Sequence, residues 1–155
     1  MTLTKLRRYL EEQEEAFFDR WVRVVGVSDI QYPGIISEDI LTEGAQIYRQ
    51  LGGALGRSTY ELAPRKRINQ IGKRLGEKRA MTGVPLEAVL ELFITFRHEL
   101  WDLISEGGLE LSTSELMEAR RRIDLYLDQL IASIAYSYTA TKERAMVGLI
   151  EKLLS

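Results

Sequence analysis

From Ser112 to Ser155 the chain runs without a proline and with a single glycine, Gly148. Those two residue types interrupt helices most strongly, so the stretch predicts one final helix of about 40 residues, roughly 60 Å long at 1.5 Å per residue. A compact domain of 155 residues is narrower than that. One part of the helix must therefore sit in a core while another part projects. Ser112 and Glu115 have capping-box spacing and mark its start. Leu116, Ile123, Leu127, Leu130, Ile131 and Ile134 suit a central core helix. Beyond them Tyr138, Thr141, Ala145, Leu149 and Leu153 recur in steps of three and four among Lys142, Glu143, Arg144, Glu151 and Lys152, which suits a coiled-coil seam or a packing face for another chain. Residues 1–137 are thus expected to form the bundle and 138–155 the extension of its last helix. The apolar Leu-Leu-Ser ending, with no capping glycine, fits a boundary in mid-helix with more chain beyond Ser155.

The earlier part of the chain also reads as helices. The first is expected from near Thr4 to about Val25, with Leu6, Leu10, Phe17, Trp21 and Val24 or Val25 on one side and Gly26 ending it. Tyr32-Pro33-Gly34 marks a turn in a Val27–Ile36 connector, and Ser37 suits an N-cap. The second helix runs to about Gly56 with Ile40, Leu41, Ile47, Tyr48 and Leu51 inward; Gly52 and Gly53 weaken its end or admit a close neighbour. Pro64 opens a third helix whose apolar positions Ile68, Ile71 and Leu75 are sparse, which places it at the surface. A Thr82-Gly83-Val84-Pro85 corner leads to the fourth, closed near Glu106 by Gly107-Gly108. The class is all-α, a helical bundle of five to six helices with a long C-terminal signalling helix.

Chemistry is excluded more easily than assigned. The chain has no cysteine and one histidine, which removes thiolate and multi-histidine metal sites and all but removes a nucleophile–histidine triad. Catalytic, cofactor and metal sites are all expected to be absent. His98 is the one residue that could ligate a haem, but a surface or half-buried histidine is the commoner meaning. A net charge of −2 gives no general attraction to nucleic acid or to anionic membranes. The helix after Gly83 is apolar and acidic, a poor DNA-recognition helix. No run approaches the ~18 apolar residues of a membrane span, and the first ten residues lack the core of a signal peptide. A cytoplasmic protein is expected. Glu11, Glu12, Glu14 and Glu15 form an acidic patch, and the third segment is basic through Arg57, Arg65, Lys66, Arg67, Lys73, Arg74, Lys78 and Arg79; the two are expected to be solvated faces that pair.

The fourth helix carries a permanent cation within its apolar stripe, since Leu86, Leu90, Phe93, Arg97 and Trp101 recur at helical spacing. Arg97 either pairs with a carboxylate of another helix or, with Phe93, Trp101 and Arg79, anchors an anionic small molecule. The aromatic residues Phe93, Phe96, Trp101, Tyr136 and Tyr138 suit the core better than a ligand cage.

The order Leu75, Arg79, Gly83-Val84-Pro85-Leu86, Leu90, Phe93, Arg97, Leu100-Trp101, followed by a long helix with Ala135-Tyr136, resembles the N-terminal input domain of RsbR-type stress-response co-antagonists. A similar helical module precedes some sensor kinases and transcriptional regulators. The resemblance implies a non-enzymatic sensory domain without cofactor, related in some members to a non-haem globin and homodimeric through its helices. It also implies a final helix leading to an output domain, typically the STAS domain of stressosome proteins, and other stressosome-type proteins as partners. Candidates for the dimer and signalling face are Ile134, Tyr138, Thr141, Ala145, Leu149 and Leu153. The signal would be a small molecule. A constitutive scaffold that senses nothing is the alternative, and a haem or tetrapyrrole sensor through His98 a weaker one.

Overall fold

The computed structural model describes residues 2–31, 38–56 and 62–155. Among these the regular structure is entirely helical: α1 (Thr4–Glu12), α2 (Glu14–Gln31), α3 (Glu38–Leu55), α4 (Leu62–Thr82), α5 (Leu86–Glu106) and α6 (Thr113–Leu154). One core cluster draws on all six helices, from Leu6, Phe17, Ile47 and Ile71 to Val89, Phe93, Phe96 and Leu100 of α5 and Ile123, Leu127, Leu130 and Ile134 of α6. Ser112 and Glu115 form the expected capping box at the start of α6.

The most extensive helix contact joins α4 to α6. Ser133 Oγ donates to the Asn69 carbonyl at 3.0 Å, and Ser137 Oγ donates to the Lys73 carbonyl at 2.7 Å. A step of four along one helix matches a step of four along the other, so the two run parallel. What lets them approach is the absence of side chains at Gly72 and Gly76. A Cβ on Gly76 would stand 2.5 Å from the Ile134 carbonyl oxygen and 2.8 Å from the Tyr138 nitrogen. Both are helix backbone, which cannot swing aside. The third helix does lie at the surface, with Lys66, Arg67, Lys73, Arg74 and Lys78 exposed, but its inner face carries Gly72 and Gly76 among Ile68, Ile71 and Leu75 and so packs closer than its sparse apolar residues suggest. Gly52 and Gly53, by contrast, admit no close neighbour.

The expected single first helix divides at Gln13 (φ −98°, ψ 9°). Backbone bonds still bridge the break, from Gln13 N–H to Tyr9 at 3.0 Å and from Phe17 N–H to Gln13 at 2.9 Å. Its two halves have different partners. On the α1 side Leu3 N–H bonds to Leu55 at the end of α3 at 2.9 Å, whereas α2 packs on α5, with Trp21 Nε1–H donating to the Leu92 carbonyl at 2.8 Å. Phe17 sits at the junction, 4.9 Å from the Tyr48 ring and 4.7 Å from that of Phe96, distances at which aromatic pairs add to simple burial.

Several further expectations need correction. Gly26 does not end the helix, which continues through the supposed start of the connector to Gln31. The Tyr32-Pro33-Gly34 turn and the Ser37 cap lie outside the described residues. Pro64 lies inside α4, which begins at Leu62, and Pro85 (φ −60°, ψ 144°) is the N-cap of α5 rather than its first helical residue. Val25 points inward rather than Val24, while Leu41, Leu116 and Tyr136 are exposed. Among the described residues the acidic patch and the basic helix do not pair with each other. Instead each pairs with α3: Glu14 with Arg49 at 2.8 Å, Arg74 with Glu43 at 3.2 Å, and Lys78 with Asp39 at 3.0 Å.

The α4–α6 approach makes a stability prediction with an internal control. Gly76→Ala is expected to lower unfolding free energy by roughly 1–3 kcal/mol, because strain outweighs the helix-propensity gain. Gly53→Ala, with open space around it, should be neutral or stabilising by up to about 1 kcal/mol. Urea denaturation of both variants decides; equal stability of the pair would remove close packing as the reason for Gly76.

Candidate functional site

The corner and the arginine-bearing helix form as expected, but they do not gather one site. Gly83 takes φ +77°, a conformation that glycine adopts without a Cβ penalty, and so turns the chain from α4 into α5. Thr82 Oγ donates to the Arg79 carbonyl at 3.0 Å in the last turn before it. Arg79 is buried there, and desolvation lowers its pKa from the ordinary guanidinium value while Asp39 opposes the shift. Arg97 lies on α5 roughly 17 Å beyond the corner at 1.5 Å per residue, so Arg79 and Arg97 do not share the turn. Phe93 is fully buried and Trp101 packs partly against the core. The Arg97 side chain is 25% exposed and its Nη2 donates to Asp128 on α6. A carboxylate of another helix thus occupies the guanidinium. His98 is exposed on the neighbouring face.

Among the described residues, the arginine most deeply buried is one that residue spacing did not single out. Arg122, on α6, is 2% exposed. Its Nη1 reaches the carbonyls of Ala54 at 3.3 Å and Leu55 at 3.4 Å, and its Nε donates to Glu118 at 2.7 Å. The last carbonyls of a helix have no partner within it, and a cation at that end also answers the negative pole of the dipole. Arg122 therefore terminates α3 from the core helix. Glu118 is shared with Arg121, also at 2.7 Å, and hydrogen bonding by the two guanidiniums holds its carboxyl down at about 2. The sequence signal for this was an arginine inside the α6 apolar stripe beside Ile123, as Arg97 stands inside that of α5.

Tyr138 marks where α6 leaves the bundle. It is the last buried residue of that helix, its ring lies 5.8 Å from Lys142 Nζ, and its hydroxyl donates to the Val84 carbonyl in the corner between α4 and α5. One side chain thus ties the exit of α6 to the turn between its two neighbours. The six residues proposed for the dimer and signalling face divide at this point. Ile134 and Tyr138 are buried in their own bundle, Thr141 is half-buried, and Ala145, Leu149 and Leu153 are exposed. Also exposed are Met146, Val147, Ile150 and Leu154. A groove of about 590 Å³ runs along the outer edge of the α4–α6 contact, with Lys73 and Glu77 on one side and Ser133, Tyr136, Ala140 and Arg144 on the other.

Comparison with known proteins gives one finding. The family described as the RsbT co-antagonist protein rsbRD N-terminal domain matches residues 15–151. No curated protein and no solved structure matches. Among the described residues, no helix is long and apolar enough to cross a membrane.

The contrast between the two arginines is measurable. Arg122→Met should cost roughly 2 kcal/mol, because it leaves the buried Ala54 carbonyl without its donor and takes one of two guanidiniums from Glu118, whereas Arg97→Met should cost about 1 kcal/mol or less, as for exposed pairs. Comparable losses in denaturant titrations would contradict the assignment of Arg122 as the buried cap. Acid provides a second check. The Glu118 pKa is lowered on folding from an ordinary 4.5 to about 2, so its contribution is complete above the higher value and is lost as pH falls through the lower one. Glu118→Gln should flatten the stability–pH curve across that interval; an unchanged slope would show that the carboxylate is not held in this way.

Proposed function

The chain belongs to the RsbRD N-terminal domain family, and on that premise we propose that it is the sensory input domain of a stress-response regulator, a non-enzymatic bundle that passes a signal along α6 to an effector domain of STAS or kinase type. Membership makes it a regulatory domain of the stressosome type. The relay is our reading, and one observation carries it: α6 is at once the central core helix, with Ile123, Leu127, Leu130 and Ile134 fully buried, and a projecting rod whose last turns expose apolar side chains. The family match extends to residue 151, so most of the projecting part belongs to the domain and is no appended tail. In this reading the working molecule is a cytoplasmic homodimer paired through its helices, and a small molecule or a stressosome partner acting on the bundle shifts the packing of α5 and α6.

Such a shift reaches the effector as a rotation or translation of the helix that leaves the bundle at Tyr138. Packed helices move between discrete arrangements, not along a continuum, and the Tyr138–Val84 bond couples that exit to the corner. A ligand that stabilises one arrangement changes the populations by its differential affinity.

Insertions after Thr141 test the relay in the protein that carries both input and output domains. Two added residues rotate everything beyond them by about 200°, whereas seven restore the phase to within about 20°. The two-residue insertion should abolish the difference in output between stressed and unstressed cells, and the seven-residue insertion should preserve most of it. Output indifferent to both would instead favour a constitutive scaffold.

A further inference from the structure

A cleft of about 430 Å³ opens between α3 and α4, with Arg49 on the first helix and Arg67 and Arg74 on the second. Two of these arginines are already aimed. Arg49 Nε and Nη2 donate to Glu14 at 2.8 and 3.2 Å, and Arg74 Nε and Nη2 donate to Glu43 at 3.3 and 3.2 Å. Each carboxylate takes one edge of a planar guanidinium, fixes its plane and leaves the Nη1 donors for another anion. Arg67 is exposed and pairs with no carboxylate among the described residues. Three guanidiniums thus stand against two carboxylates, with one positive charge left over. The rest of the lining is neutral. Gln50 is half-buried, and its Oε1 accepts from the hydroxyl of fully buried Tyr126 at 2.9 Å, which leaves both Nε2 hydrogens for other partners. Gln46 and Gln70 are exposed, one on each wall, and Ile71 is buried beneath them.

We propose that this cleft binds a small phosphorylated polyol of the sugar-phosphate class, its phosphoryl group on Arg67 and the open edges of Arg49 and Arg74, its hydroxyls on the glutamine amides. The class follows from the donor set. Guanidinium forks match the geometry of a phosphoryl group, whereas amides both donate and accept, as hydroxyls require. Ile71 alone offers an apolar surface, too little for an aromatic ligand. The volume falls within the roughly 300–1,000 Å³ of small-molecule sites. For its purpose the proposal rests on the sensory reading above, although binding is measurable without it. At 100° per residue the Arg67, Ile71 and Arg74 face of α4 lies opposite Gly72 and Gly76. There α3 and α4 are joined by surface ion pairs, Arg74 with Glu43 and Lys78 with Asp39. A ligand bridging the two helices therefore braces α4 from behind, on the helix whose other side meets α6 backbone to backbone.

Titration calorimetry at fixed ionic strength tests this with glucose 6-phosphate, ribose 5-phosphate and glycerol 3-phosphate as probes. At least one should bind saturably, about tenfold or more tighter than inorganic phosphate, and glucose should not bind. Arg67→Gln should weaken that binding by about tenfold, the loss of one charge-assisted contact. Arg120→Gln, an exposed arginine of α6 outside the cleft, should leave it unchanged. Gln70→Ala should weaken the ester and spare inorganic phosphate, which a merely electrostatic patch would not do. Circular dichroism should show the same helicity in all three variants. Absence of saturable heat with every probe, or binding indifferent to Arg67→Gln, overturns the site. Inorganic phosphate bound as tightly as the esters overturns the polyol class. Sedimentation with vesicles of phosphatidylcholine and phosphatidylinositol, lost in Arg67→Gln and unmatched by any soluble ester, overturns a free ligand in favour of a lipid headgroup. Each of these failures leaves the relay along α6 standing, since that reading is decided by the insertions after Thr141.

Discussion

Two glycines let the backbone of α4 lie directly on that of α6, and the rest of the bundle is arranged around that contact. Gly72 and Gly76 present no side chain where Ser133, Ile134 and Tyr138 come closest. The two serines complete the seam by donating to carbonyls of α4. A contact of this kind specifies direction and register more sharply than a leucine interface, because backbone atoms have no alternative rotamers. Two parallel helices that are neighbours in space but separated by one helix in sequence require that helix to run back between their ends. This is the role of α5. Its start is set by the left-handed turn at Gly83 and the extended conformation of Pro85.

The remaining helices are fastened to this frame by polar groups reaching from within the core. Trp21, Tyr48 and Tyr138 each bury a ring and spend the polar tip on a backbone carbonyl of another helix or turn, so each side chain supplies apolar area and a directional bond together. Arg122 does the same with a charge. The Tyr48 bond joins α3 to α1, and the others involve α5 or α6, while the ion pairs of α3 with α2 and α4 lie at the surface, where screening makes them weak.

Periodicity, capping and breakers were enough to show an all-helical chain, the bounds of α3, α5 and α6, and the capping box at Ser112, because those signals are local and helix-specific. The family resemblance was legible in the corner and the stripe of α5. Less legible were features whose meaning depends on a second element. Gly72 and Gly76 drew no notice in the sequence, although they are where α4 lies closest to α6. Gln13 has no sequence signature of a break, yet α1 and α2 part there, α1 packing mainly on α3 and α2 mainly on α5. Tyr136 and Leu116 matched an inward spacing yet face outward, since a 42-residue helix has more apolar positions than one bundle can cover.

The arginines show the same division. By itself the sequence determined that permanent cations would stand inside apolar stripes and would need partners, because a guanidinium keeps its charge and burial is costly without compensation. Which cation is buried, and against what, was decided only when helices distant in the chain met. Arg97 came to rest beside Asp128 with part of its side chain in water, and Arg122 closed the open end of α3. Local chemistry settles what a residue requires; the neighbours that satisfy it come from tertiary packing.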